Sequence, residues 1–400
     1  MIAVQFGSPV AARRLILSVA GGLLLAAGWG GCSSQRLGPD TPVVALTDLQ
    51  NAGLKTRWIQ QVPLAVNHGE KPKNLWQAGD ALLVLTNQNQ LHSFSTANGT
   101  TNYTCDLDKK VMRPFAPVDL DKSMLAVADE TGVILVDKSS GVARNKALFD
   151  FSAATRPILN GKYFYIGGIH GFFYCVYAEY QGNYKESPSS DPKPFVIGHR
   201  NWILRSPTDA NDSFPSAPVV VAGNHIVIAS QKGLLWNVAG DDGDNVWMYR
   251  KVNGEVAADL MSDQVRVYVS CLNNYLYAFE AMTGTPSWST RLEGKLDQAA
   301  VAVGKSILLP TTGKGLYALS PNDGQIKWLV PGATRVVGAA ENKIFATNTT
   351  KDLLIINAQS GAVEQTIAVP NVKQYLPGTG KTVVILTTDG RLTAIEPDAS

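Results

Sequence analysis

The chain has 400 residues, 45% of them hydrophobic and only 17% charged, and its 35 basic side chains nearly balance 33 acidic ones. That apolar share permits a large core, while the near-neutral balance gives no electrostatic case for nucleic acid or an anionic membrane surface as a partner. With 36 glycines, 21 prolines and no long helical tract, the composition favours a turn-rich all-β chain over a helical one.

Residues 1–31 read as an export signal. Arg13 and Arg14 precede the apolar run LILSVAGGLLLAAGWGG, which stops at Cys32. GWGGC resembles a bacterial lipoprotein cleavage signal, with Gly30 and Gly31 ahead of a cysteine that becomes the lipidated first residue. Trp29 stands where that signal usually has an aliphatic residue, so an ordinary cleaved signal and an uncleaved anchor stay open as alternatives. Ser33 rather than Asp after the cysteine points to the outer membrane, facing the periplasm. Cleavage removes Arg13 and Arg14 and leaves basic and acidic residues equal in number. Cys105, Cys175 and Cys271 then remain, which is no disulfide framework; burial as small hydrophobes is favoured over a Cys175–Cys271 bridge. Residues 32–52 read as a tether, and 53–400 as one domain.

From residue 53 onward one pattern recurs. Two apolar runs flank a short polar turn, and a glycine turn follows, as in RVYVSCLNNYLYAFEAMTG and SILLPTTGKGLYALSPNDG. The closing glycines are Gly99, Gly141, Gly243, Gly284, Gly324 and Gly361; the last four stand 41, 40 and 37 residues apart, and Gly99 to Gly141 is 42. The 102 residues between Gly141 and Gly243 hold one further unit, KYFYIGGIHGFFYCVYAEY, plus an insertion. A period near 40 with four short strands per unit predicts propeller blades. Trp247, Trp288 and Trp328 each follow a turn glycine by four residues, and their expected role is packing between blades, where burial of so large a ring contributes about 2 to 3 kcal/mol. Seven units leave the C-terminal stretch from Val372 to Asp398 with three strands. Gly53 to Leu64 can supply the fourth, so the expected fold is an eight-bladed, all-β propeller closed by its two chain ends, with seven blades the competing count.

The chain is poor in recognisable chemistry. His68, His92, His170, His199 and His225 show no metal-ligand spacing, and neither paired CxxC motifs nor a Gly-x-Ser-x-Gly elbow occurs. Gly313-Lys314-Gly315 sits in a hairpin turn without the helix that a phosphate cradle needs, and the acidic stretches Asp241 to Asp244 and Asp119 to Lys122 read as solvated turns. One segment, Ala178 to Phe214, departs from the repeat. It carries Tyr180, Tyr184, Phe195, His199, Arg200 and Trp202 among charges and prolines, and is the candidate partner-binding loop; an insertion folded back on its blade is the alternative.

The unit of apolar strand, LYAL-like strand, Thr-Gly turn and outer-strand Trp resembles the pyrroloquinoline-quinone-like repeat, most closely in YLYAFEAMTGTPSW (Tyr275 to Trp288) and GLYALSPNDGQIKW (Gly315 to Trp328). The resemblance implies a β-propeller. In signal, length and blade style the chain is similar to the family's lipoproteins of outer-membrane β-barrel assembly, which implies a non-enzymatic scaffold with envelope protein partners. Quinone-dependent dehydrogenases of the family hold their cofactor and Ca²⁺ with an acidic set, and some carry adjacent cysteines; no adjacent pair exists here and the blades use up almost all of the chain. No cofactor or metal is therefore expected. A redox relative of those dehydrogenases and a propeller binding sugar or another small ligand are the alternatives.

Overall fold

The computed structural model describes residues 42–107, 111, 113–144, 146–178, 197–207, 211–378 and 381–398, all within the compact unit Pro39–Ser400. They form eight four-stranded antiparallel sheets, the blades of one propeller. Blade 1 comprises Pro72–Ala78, Ala81–Thr86, Gln90–Ser95 and Thr101–Asp106. Blades 2 to 7 follow in chain order, with first strands at Val118–Asp119, Ile158–Asn160, Val219–Val221, Met261–Ser262, Val301–Val303 and Ala333–Ala340. Their fourth strands are Ala147–Leu148, Arg200–Arg205, Asn245–Lys251, Pro286–Arg291, Ile326–Pro331 and Val363–Ile367. First strands of neighbouring blades approach one another directly, so they border the central channel and the fourth strands form the rim.

The antiparallel order fixes two faces. Links between first and second and between third and fourth strands open on one face, here termed the hairpin face. Links between second and third strands, and from each blade to the next, open on the opposite, crossover face. The two middle strands are apolar along most of their length instead of alternating, because neighbouring blades cover both sides of each sheet. Ala81–Thr86 and Gly315–Leu319, for example, are buried throughout. The buried apolar residues divide into eight clusters, one in each seam between successive blades. Cohesion therefore lies in the seams, and blades without a neighbour would expose half of what they bury.

Blade 8 joins the chain ends. Val372–Pro377, Val383–Thr387 and Arg391–Pro397 are completed by Leu54–Gln61, paired from Leu54 opposite Pro397 to Gln61 opposite Arg391, with a bulge at Arg57. Next to the channel the Gln374 amide accepts from Leu75 N–H at 3.0 Å and donates to Leu75 C=O at 2.7 Å, stitching blade 8 to blade 1. Part of the expected tether is folded. Helix α1, Leu46–Asn51, brings Val43, Val44, Leu49 and Ala52 into the seam between blades 7 and 8. The physical reason is the missing hairpin: blade 8 has chain ends where other blades have a turn between third and fourth strands, and α1 covers the apolar surface that such a turn covers elsewhere.

The seam between blades 8 and 1 contains Trp58, opposite Ala394, and a buried His92. His92 Nδ1 bonds the Thr104 hydroxyl at 3.1 Å, while Nε2 and Oε1 of the buried Glu70 have no partner. Burial holds the His92 imidazole below its ordinary pKa, against the opposing pull of the Glu70 carboxylate.

Truncating Trp58→Ala should lower the free energy of unfolding by about 3 to 5 kcal/mol, read from denaturant midpoints; an unchanged midpoint would show that the ring does not rely on this seam. The depressed pKa of His92 means that the unfolded chain binds more protons from pH 6.5 down to the folded pKa. Its stabilising share is thus complete above pH 6.5 and disappears as pH falls through the folded value. Unfolding curves between pH 7.5 and 5 should flatten in His92→Gln, and an unaltered pH dependence would contradict the assignment.

Candidate functional site

Five of the eight seams share one contact. Trp58, Trp202, Trp247, Trp288 and Trp328 each project from a fourth strand onto the hairpin turn of the next blade. Their indole N–H groups donate to the carbonyls of Thr96 (3.3 Å), Gly240 (2.8 Å), Ala281 (3.0 Å), Pro321 (2.8 Å) and Ala358 (3.2 Å). Each acceptor lies three residues before a turn glycine: Gly99, Gly243, Gly284, Gly324 and Gly361. A Cβ on any of these would come within 2.4–2.8 Å of the docked indole, so the glycine supplies close approach as well as its positive φ. At Gly141 the neighbour is Tyr103, and in blade 7 the equivalent position is Gln365, whose side-chain amide donates to the Asp48 carbonyl of α1 at 3.0 Å.

The candidate partner-binding loop is divided by the structure. Tyr180, Tyr184 and Phe195 lie outside the described residues, as does Cys32. Trp202 belongs to a seam: it is the blade 3 member of the indole series and packs against Tyr165 and Phe173. Its distance of 41 residues to Gly243 matches that of Trp58 to Gly99, a spacing in the sequence that points to this role. Phe214 is fully buried beside Phe173 and Trp236. His199 and Arg200 are exposed where the chain returns to blade 3, and Arg200 pairs with Asp150 at 2.6 Å.

What remains open is the rim of blade 3. Blade 2's fourth strand is only Ala147–Leu148, so it gives little cover to the side of Arg200–Arg205 that faces it. Ile203 is 41% exposed and Leu148 72%, and the Arg205 guanidinium lies 5.7 Å above the Phe172 ring. Apolar surface joined to a cation held on an aromatic ring is suited to protein recognition.

Other features are internally satisfied. A cleft of about 830 Å³ between blades 1 and 2 is lined by Asp80, Asn102, Tyr103, Asp119, Asp121 and Lys138 among others; the Lys138 ammonium pairs with Asp119 and donates to the Asp121 carbonyl at 2.6 Å. Asp119 is thus part of a buttressed wall and not just a solvated turn. Cys105, Cys175 and Cys271 are free and buried in three different seams, and burial pushes their thiols up to about 11, about 12 and about 12. Blade 4 separates the two that could have bridged. Among the described residues no three His, Cys, Asp or Glu side chains are grouped to hold a metal ion.

A family model described as outer membrane protein assembly factor BamB matches residues 197–399. Proteins of that description from Moranella endobia (strain PCIT) and Yersinia pestis are 23% identical over 140 residues and 27% over 137. Each match covers 32% of this chain and only 36% and 35% of those relatives. BamB from Moraxella catarrhalis superposes with a TM-score of 0.63 at 12% identity, covering 86% of this chain and 97% of that one. The computationally designed Ika8 protein gives 0.62 at 9%, covering 86% and 99%. The last two likenesses concern the fold alone.

Gly324 and Gly304 both have positive φ, which costs an L-residue about 1 to 2 kcal/mol. Only Gly324 faces a ring, with Trp288 2.4 Å from a Cβ, whereas Gly304 faces open space. Gly324→Ala should therefore destabilise by about 1 to 3 kcal/mol more than Gly304→Ala in matched urea titrations. Equal losses would show that the indole contact has no share in the effect.

Proposed function

Because the chain belongs to the family of outer membrane protein assembly factor BamB, a family of pyrroloquinoline-quinone-like β-propellers, we propose that it is a non-enzymatic scaffold for protein partners in outer-membrane protein assembly. In this reading residues 1–31 are removed, Cys32 carries the lipid, a short tether follows, and the propeller faces the periplasm from the outer membrane.

The observation that carries the role is the uncovered rim of blade 3. Most wide side chains of the ring are consumed in seams, yet Ile203, Leu148 and Arg205 stay accessible on rigid strands, and the family match includes this fourth strand. A partner would bury Ile203 and Leu148 and set a carboxylate or carbonyl against Arg205, with His199 and Arg200 at the border. The indole docks hold that rim in a fixed place, so little conformational entropy is lost on association. No bond-making step is assigned, and the closed ring serves by holding its surfaces at fixed angles.

Affinity capture from detergent-solubilised envelopes tests the reading. The wild-type chain should recover an outer-membrane β-barrel assembly complex, and Ile203→Asp with Arg205→Glu should reduce recovery at least tenfold while the melting temperature holds. Undiminished recovery by the double variant would move the surface elsewhere. Failure of the wild-type chain to recover any such complex would overturn the assembly role.

A further inference from the structure

The crossover face carries a second feature, on the opposite side of the ring from blade 3. In blades 1 and 8 the first strand bulges at the same register: Pro72 pairs with Thr86 and Asn74 with Leu85, just as Val372 pairs with Thr387 and Gln374 with Leu386. The two extra residues are Lys73 and Lys373, both exposed. Gln374, bonded to both backbone groups of Leu75, fixes these bulges beside each other. The first strand of blade 7 bulges in the same way, with Ala333 opposite Asn348 and Arg335 opposite Thr347; its extra residue is Thr334, and the exposed Arg335 follows directly after it. Lys351, on the turn between that blade's second and third strands, donates to the Val372 carbonyl at 3.3 Å, next to Lys373.

Among the described residues these four cations form no ion pair, unlike others on the same face. Arg156 has Asp259, Lys295 has Asp297 and Lys314 has Glu293, whereas no carboxylate among the described residues forms an ion pair with Lys73, Arg335, Lys351 or Lys373. Nearby acidic groups are engaged within their own turns: Asp352 accepts from Asn348 and Thr350, and Asp389 from the Thr387 hydroxyl. A chain with a net formal charge of only +2 thus gathers four uncompensated cations along the channel mouth of three consecutive blades.

We propose that this channel mouth, across blades 7, 8 and 1, binds an acidic peptide segment in extended form. The first strands of blades 7, 8 and 1 lie directly beside one another, and an extended chain presents alternate side chains on one face about 6.6 to 6.8 Å apart. A run of carboxylates along such a chain is complementary in charge to the cations carried by these successive blades. Three of the four are lysines, point charges on flexible stems, and not the guanidinium forks that favour bidentate phosphate. The site is separate from the blade 3 rim and does not depend on the assembly role.

The test is fluorescence anisotropy of labelled hexaglutamate with the purified full-length protein in 20 mM salt. Binding is expected to weaken at least tenfold in Lys73→Glu/Lys373→Glu and at least threefold in Lys73→Gln/Lys373→Gln, which keeps Gln374 and its bonds. It should also weaken at least tenfold at 200 mM salt, as screening of exposed charges requires. Circular dichroism and melting identify any variant that fails to fold, and the neutral pair then carries the comparison. Equal affinity in a folded neutral pair, no binding by the wild-type chain up to 1 mM peptide, or tighter binding of a polyphosphate of equal charge would overturn the proposal.

Discussion

An indole laid flat on a turn glycine of the next blade is the contact on which this ring depends. Eight small sheets have no common interior; their apolar residues meet only in pairs of faces. Such faces could slide or splay if nothing fixed their rotation. In five seams the ring of a tryptophan fills the space that a Cβ would occupy, and its N–H finds a carbonyl three residues upstream of the glycine. Apolar contact holds the blades together and the hydrogen bond sets their angle. Trp58 extends the same device to the strand contributed by the N-terminal part of the chain, so closure onto blade 1 uses the same chemistry as four other seams.

Much of this is legible in the sequence because the period and the device are both local. The glycine anchors and the tryptophans four residues after them repeat within blades 4 to 6, and the unpaired remainder at each end of the repeat region announces a shared blade. The departures arise where a single position is judged by its immediate neighbours. Trp202 sits among polar and proline-rich residues and resembles a loop aromatic, although its register relative to Gly243 places it in a seam. Gln365 stands where other blades carry the indole, and its partner is not a glycine turn but the carbonyl of Asp48, 317 residues away in sequence. Residues 43–52 look like linker because they precede the first repeat unit; their burial depends on the gap left by the missing hairpin of blade 8, which is a property of the closed ring.

The candidate sites follow a similar rule. Of the aromatic residues read as a surface for partners, Trp202 is used in a seam. Exposure of Ile203 comes from the shortness of the neighbouring blade's outer strand, a non-local cause. The pairing of Lys73 with Lys373 requires two bulges 300 residues apart to be stitched together by Gln374, and no window of sequence contains both. A scaffold with rigid seams can hold such surfaces at fixed angles around its circumference, which is the physical content of the proposed role in assembly.

The central claim is that the strand Leu54–Gln61 is an integral part of the ring and not an adhering tail. Hydrogen exchange resolved by peptide tests it most directly. The account predicts that amides of Leu54–Gln61 paired with Arg391–Pro397 exchange as slowly as those of the fourth strands of blades 5 and 6, and lose protection together with Arg391–Pro397 on partial denaturation. Rapid exchange in Leu54–Gln61 while the remaining blades stay protected would contradict it.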